Sequence, residues 1–305
     1  AMGGQMSLTG EPHEPPQKTY GYQAEYQLGL HGFAASAAAL LRAGSPAWVE
    51  VSGMEAQASA LQHHGPVAYQ HGLAVPRLGN VTAPTWGMFE ADGGYVSFVA
   101  LPGNYPAVAK LLGLTPEEAE YLLAVDGDIA IHADDLEATV RAWCYAHSPI
   151  DAHQIAGETG APVAAVLTLP QLFEWPGLVE KGFWQRIAGA VHPGAAARFE
   201  PAPSSSALPP APRGDRGLPL EGVRVLDLSL VWSAPYAGAL LAEAGADVIK
   251  VEGTSTFDVA RILAPVTPEE RAARYSPYFK QHNRGKRSLA IDLKSPEGRE
   301  VFLRL

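Results

Sequence analysis

Residues 223–230 (VRVLDLSL) and 247–252 (DVIKVE) are short runs rich in apolar and β-branched side chains. Between them, residues 235–244 carry small and apolar side chains at helical spacing and stop at Gly245. Strand, helix and strand within about 30 residues read as a crossover, which lays the two strands parallel. Parallel strands are covered by helices on both faces, so this segment predicts an α/β domain. Residues 288–293 read as a third strand. Residues 295–305 read as a helix with Ser295 as cap, Pro296 at the first position and Glu297 in the first turn. Val301, Phe302, Leu303 and Leu305 run to the last residue with no cap after them. Two or three parallel strands with an open helix do not close a domain. The expectation is a piece of something longer, or a piece completed by another chain.

Residues 200–219 (EPAPSSSALPPAPRGDRGLP) hold six prolines and three consecutive serines. Such a stretch reads as a semi-stiff, extended linker. Before it, Leu30, Phe33, Ala34, Ala37 and Leu41 recur at helical spacing and predict a helix over 24–42. Residues 47–52 (AWVEVS) alternate and predict a short strand. A helix is expected over 54–63. Strands are expected over 85–90 and 95–100, joined at Asp92-Gly93-Gly94. Helices follow over 105–112, 115–125, 133–147 and 151–159; Thr115, Pro116 and Glu118 form the start signal of the second. Residues 162–167 read as a strand and 183–191 as another. Residues 1–7 (AMGGQMS) are set aside as a remnant or frayed end.

The chain carries 22 Lys and Arg against 32 Asp and Glu, a formal charge of −10. That balance argues against a nucleic-acid partner, whose binding rests on basic surface. The one cysteine, Cys144, excludes a disulfide framework and a thiolate zinc site and suits a reducing cytoplasm. Set between Trp143 and Tyr145 in an apolar helix, it reads as core rather than nucleophile. No apolar run reaches the ~18 residues of a membrane helix, and residues 1–20 lack the pattern of a signal peptide. His63, His64 and His71 lack a third firm ligand, and no metal is expected. The loop Val231-Trp232-Ser233-Ala234-Pro235 has no Gly-x-Gly-x-x-Gly. Glu252 alone, where a ribose-binding acid would stand, therefore makes a weak dinucleotide site.

The segments LEGVRVLDLS, VWSAPYAGALLAEAGADVIKVE and YFKQHNRGKRSLAIDLKSPEGREV, in this order and spacing, resemble the opening of the class III CoA-transferases. The run Asn283-Arg284-Gly285-Lys286-Arg287-Ser288-Leu289 is the most telling part. Residues 23–41, AWVEVSGMEA and residues 77–100 resemble the middle and end of the same family. The chain therefore looks like the back part of one module, a linker, and the front of a second. On that reading residues 8–66 are the C-terminal part of a large domain and 67–175 a small α/β domain. Residues 176–199 return to the large domain, 200–219 link, and 220–305 open a Rossmann-like CoA-binding domain.

The resemblance implies a doubly wound parallel-sheet CoA-binding domain with a second, smaller α/β domain, in an interlocked homodimer or completed by another chain. It implies coenzyme A or acyl-CoA and a small carboxylic acid as substrates. Val231, Trp232 and Ser233 match a CoA-contacting loop, and Ile291, Asp292, Leu293 and Lys294 match a second contact segment. Arg284 and Lys286, with Arg287 and Lys294, supply positive charge for the phosphates of CoA. Gly253 departs from the pattern: formyl-CoA transferase has a CoA-contacting arginine there. The family's nucleophilic aspartate falls on Glu25, one methylene longer, in a first helical turn that favours a carboxylate. Glu25 is then a nucleophile that forms a mixed anhydride and an enzyme–CoA thioester, or the relic of one, or a charge that only favours the helix start. Gly79-Asn80 matches a loop near the family's active site, or is an ordinary turn. The expected reaction is CoA transfer from an acyl-CoA to a free acid. An acyl-CoA racemase of the same fold and a non-catalytic scaffold are the alternatives.

Overall fold

A computed structural model describes residues 2–41, 46–61, 64–126, 129–195, 197, 217–253, 256–263 and 267–305. Most of the expected linker, residues 200–216, lies outside the described residues, as do Arg42 and His63. The chain forms two compact units, Ala1–Gly79 with Pro210–Leu305, and Asn80–Pro209.

The first unit opens with helices α1 (Gln23–Leu41), α2 (Gly53–Ser59) and α3 (His64–His71). The strand expected over 47–52 does not form, because no neighbouring strand offers it a ladder; Trp48 is 92% exposed. Ser52 uses its extended conformation to cap α2, its side chain accepting from the Glu55 N–H.

The second unit is built on strands β1 (Val81–Ala83), β2 (Trp86–Ala91) and β3 (Gly94–Val99). Helices α4 (Tyr105–Leu112) and α5 (Pro116–Leu122) follow, then the short strands β4 (Val125–Asp126) and β5 (Ile129–Ala130). Helices α6 (Ala133–Tyr145) and α7 (Pro149–Thr159) lead to β6 (Val163–Ala165). The order β1-β2-β3-β6 is antiparallel throughout. Phe89, Val96 and Phe98 on its inner face are fully buried against Val108, Leu136, Val140 and Cys144. Thr115 and Glu118 cap α5 reciprocally, at 3.2 and 2.8 Å. After α8 (Leu169–Phe173) and α9 (Pro176–Val179) come two strands where one was expected, β7 (Trp184–Ile187) and β8 (Ala190–Pro193). Ala188 and Gly189 both take positive φ, 50° and 85°, and turn the chain back as a hairpin.

The first unit resumes with β9 (Arg224–Asp227), α10 (Ser233–Glu243) and β10 (Asp247–Glu252). It continues through α11 (Pro268–Ala273), α12 (Pro277–His282), β11 (Arg287–Ala290) and α13 (Pro296–Leu303). The three strands are parallel, in the order β11-β10-β9, with Val248 opposite Val225 and Val251 opposite Leu289. The predicted crossover is thus present. β9 is shorter than expected because Asp227 turns the chain, its Oδ1 accepting from the Ser229 N–H at 3.0 Å. Ala38 of α1 is buried with Leu220, Ala246 and Val248, so the first helices and the parallel sheet share a core. The chain as a whole is mixed α/β.

Candidate active site

In a parallel sheet the carboxyl ends of the strands point the same way, and the loops leaving them border a crevice. Here a groove of about 310 Å³ lies along that edge. Leu228 and Leu230 border it after β9, Val251 to Gly253 at the end of β10, and Ile291 to Lys294 after β11. Ile291, Asp292, Leu293 and Lys294 form one wall of it. The Lys294 N–H donates to Asp292 Oδ1 at 2.9 Å and shapes that loop.

Val231, Trp232 and Ser233 stand just beyond the groove at the start of α10. Val231 has φ +66° and Trp232 occupies the N-cap position. Val231 and Trp232 pack on Ala260, Tyr278 and Phe279.

The expected basic cluster does not converge. Arg284 pairs with Glu243 at 2.6 Å, donates to the Gln281 carbonyl at 2.7 Å and lies over the Tyr236 ring. Lys286 is 1% exposed. Its ammonium donates to Asp227 Oδ2 at 2.6 Å, the Pro235 carbonyl at 2.7 Å and Asn283 Oδ1 at 3.0 Å, which uses all three of its protons. Lys286 thus fastens β9, α10 and the turn before β11 rather than facing the groove. Burial would raise the Asp227 carboxyl, but the bonds from Lys286 and Ser229 hold it below the usual range. Arg287 pairs with Asp247 at 3.1 Å. Of these cations Lys294 borders the groove.

Four groups that sequence reasoning did not bring together lie beneath this wall. Lys250 Nζ pairs with Asp258 Oδ2 at 2.8 Å, and both side chains are almost wholly buried. Lys250 also donates to the Ser229 carbonyl. Glu252 accepts from Arg261 through both oxygens, at 2.8 and 2.6 Å, and from the Asp258 N–H at 2.9 Å. Burial opposes the Glu252 charge, yet these donors hold its carboxyl below the usual range. The signal was a lysine in the middle of an apolar strand, DVIKVE, since a buried ammonium demands an acid. Nothing in the spacing selected Asp258.

Glu25 sits in the first turn of α1 and is exposed. It borders a second cavity of about 190 Å³ with Gly3, Gln5, Met6, Thr9, Lys18 and Gln57. Residues 2–7, set aside as a remnant or frayed end, thus pack as part of the fold. Gln5–Leu8 form a 3₁₀ turn, and Gly3 lies so close to Gln57 that a β carbon on it would stand 2.3 Å from Gln57 Cβ. The two cavities share no lining residue, so Glu25 is not brought into the groove.

Cys144 is fully buried, which pushes its thiol up to about 12 and makes it core. His71 pairs with Glu270 at 3.2 Å. Among the described residues no three His, Cys, Asp or Glu side chains gather as metal ligands would, and no helix is long and apolar enough to cross a membrane. Gly79, at φ +72°, makes a turn before Asn80.

These features define an α/β protein with a crevice at a parallel strand edge. The sequence profile of CoA-transferase family III matches residues 1–216 and 220–305, and the chain belongs to that family. It is 43% identical over 93 residues to a succinate–glutarate CoA-transferase of Agrobacterium fabrum, covering 30% of this chain and 23% of the relative. It is 46% identical over 86 residues to a succinyl-CoA:mesaconate CoA-transferase of Haloarcula hispanica, covering 28% and 22%. The matched stretches therefore span less than a quarter of these relatives. A CaiB/BaiF family protein from Brucella suis shares the fold at a TM-score of 0.52 and 22% identity, over 66% of this chain and 55% of that one.

Proposed function

We propose that the chain takes part in moving CoA from an acyl-CoA to a free carboxylic acid. The observation that carries this reading is the groove at the strand ends, walled by Ile291 to Lys294, in a chain of this family. The nucleotide end of CoA would lie along that wall, with Lys294 near its phosphates and the start of α10 beside it. On this reading residues 220–305 open a doubly wound CoA-binding domain, and a second chain or module completes the site.

Glu25 is the attacking carboxylate in this proposal. Its oxygen adds to the thioester carbonyl and expels the CoA thiolate, leaving an acyl–Glu25 anhydride. The thiolate then attacks the Glu25 carbonyl and releases the donor acid, leaving a Glu25–CoA thioester. The acceptor carboxylate repeats the exchange and departs as a thioester, restoring Glu25.

The test is mass spectrometry of the full chain after incubation with an acyl-CoA and hydroxylamine. A hydroxamate on Glu25, absent in Glu25→Gln, is the expected result. CoA bound with no adduct would remove Glu25 as nucleophile, and no CoA binding would remove the reading altogether. Epimerisation of a 2-methylacyl-CoA without an acceptor acid would replace transfer by racemisation.

A further inference from the structure

Val231 is β-branched and takes φ +66°, a conformation that such a residue strongly disfavours. Its backbone N–H donates to Asp258 Oδ1 at 3.0 Å, across 27 positions of chain. Asp258 is completely buried, and its Oδ1 also accepts from the Ala260 N–H at 3.0 Å. Its Oδ2 accepts from Lys250, which rises from the central strand and also holds the Ser229 carbonyl. One desolvated ion pair thus grips the loop after β9 at two of its residues. Leu228 and Leu230 of that loop form one part of the groove wall, and Thr256 and Phe257, just before Asp258, form another.

A buried ion pair contributes little net stability compared with apolar packing, because desolvation offsets the attraction. Its use here is geometric. We propose that Asp258 is a positioning residue that keeps Val231 in its left-handed conformation and so sets the shape of the strand-end groove for CoA. The proposal rests on the functional reading above, in that CoA is taken as the groove's ligand.

The experiment is calorimetric titration of the full chain with CoA, in a cycle of Asp258→Asn and Val231→Gly. Asp258→Asn removes the charge partner of Lys250 and replaces the carboxylate that accepts the Val231 N–H by a weaker, neutral amide oxygen, and is expected to weaken CoA binding by about tenfold. Glycine adopts positive φ without steric cost, so the same Asp258→Asn change made in V231G protein is expected to weaken binding by less than about threefold relative to V231G alone. A merely structural role for Asp258 would give the same loss in both backgrounds, and that result overturns the proposal. So does an Asp258→Asn protein that binds CoA like wild type. If Asp258→Asn fails to fold by circular dichroism, Lys250→Met/Asp258→Leu replaces the pair by apolar groups and enters the same cycle with the same two outcomes. Wild-type protein that does not bind CoA overturns the functional reading and this proposal together; binding without rescue overturns this proposal alone.

Discussion

Tyr236 Oη stands 3.0 Å from His31 Nε2 and 2.7 Å from Ser59 Oγ, so one phenol on α10 fastens both α1 and α2. His31 Nδ1 faces the Gln27 carbonyl at 2.8 Å. That oxygen can only accept, so His31 Nδ1 donates to it. Removing the hydroxyl takes this partner from a partly buried ring nitrogen and leaves Ser59 with the Ala56 carbonyl, to which it donates at 3.0 Å. Tyr236→Phe is expected to cost about 1–2 kcal/mol in denaturant unfolding. Ser59→Ala added to it should cost less than its effect alone, since the two share one network. Full additivity would show that the bonds act independently.

The elements legible in the sequence were those with a local cause. VRVLDLSL and DVIKVE on either side of a helical pattern predicted the parallel pair, and Thr115 with Glu118 the start of α5. What failed depended on partners distant in the chain. Residues 47–52 alternate like a strand, but alternation does not supply a neighbour to pair with. Residues 183–191 looked like one strand because Ala188 is not a residue that advertises positive φ. In the site, Ile291 to Lys294 line the groove because they leave the end of β11, and strand ends border crevices. Lys286 did not, because a lysine looks alike in sequence whether it meets a phosphate or a buried carboxylate. Asp258 was invisible for the same reason.

Lys286 and Asp227 form a pair whose side chains are 1% and 5% exposed. Lys286→Met leaves the Asp227 carboxylate buried with Ser229 as its remaining partner. The expected loss is about 3–5 kcal/mol, read from chemical denaturation. Lys286→Met/Asp227→Leu should recover more than half of it, because no uncompensated charge remains. A Lys286→Met protein as stable as wild type would mean that the ammonium carries no structural role.

His282 is 2% exposed, and its Nδ1 lies 2.9 Å from the Tyr278 carbonyl. Burial is the largest influence and lowers its pKa from 6.5; the Tyr278 carbonyl and Asp258 pull the other way, and Lys286 and Arg284 add to the lowering. The folded state therefore binds this proton less readily than the unfolded chain does. Its contribution is complete above the unfolded value near 6.5 and declines as pH falls from there toward the lower folded value. Melting temperature should drop between pH 7.5 and 5.5, and His282→Gln should flatten that part of the curve. An equal slope in the two proteins would assign the acid sensitivity to other groups.

Gly253, where the sequence departs from the pattern it resembles, has little room for a side chain. A β carbon at Gly253 would stand 2.1 Å from Thr256 Oγ1 and 3.1 Å from the Thr256 carbonyl oxygen. The Gly253 N–H also donates to that carbonyl at 2.9 Å. Gly253→Arg alone should therefore lower the melting temperature. In Gly253→Arg/Thr256→Ala the hydroxyl is gone, and the guanidinium can stand at the mouth of the groove. A charge-assisted bond to phosphate at a wet site should then tighten CoA binding by about three- to tenfold, with the gain shrinking as salt screens it. Calorimetric titration at low and high salt reads both effects. A Gly253→Arg protein as stable as wild type would show that Thr256 is no obstacle. A double variant that folds yet binds CoA no better at low salt would place the phosphates away from this edge of the sheet.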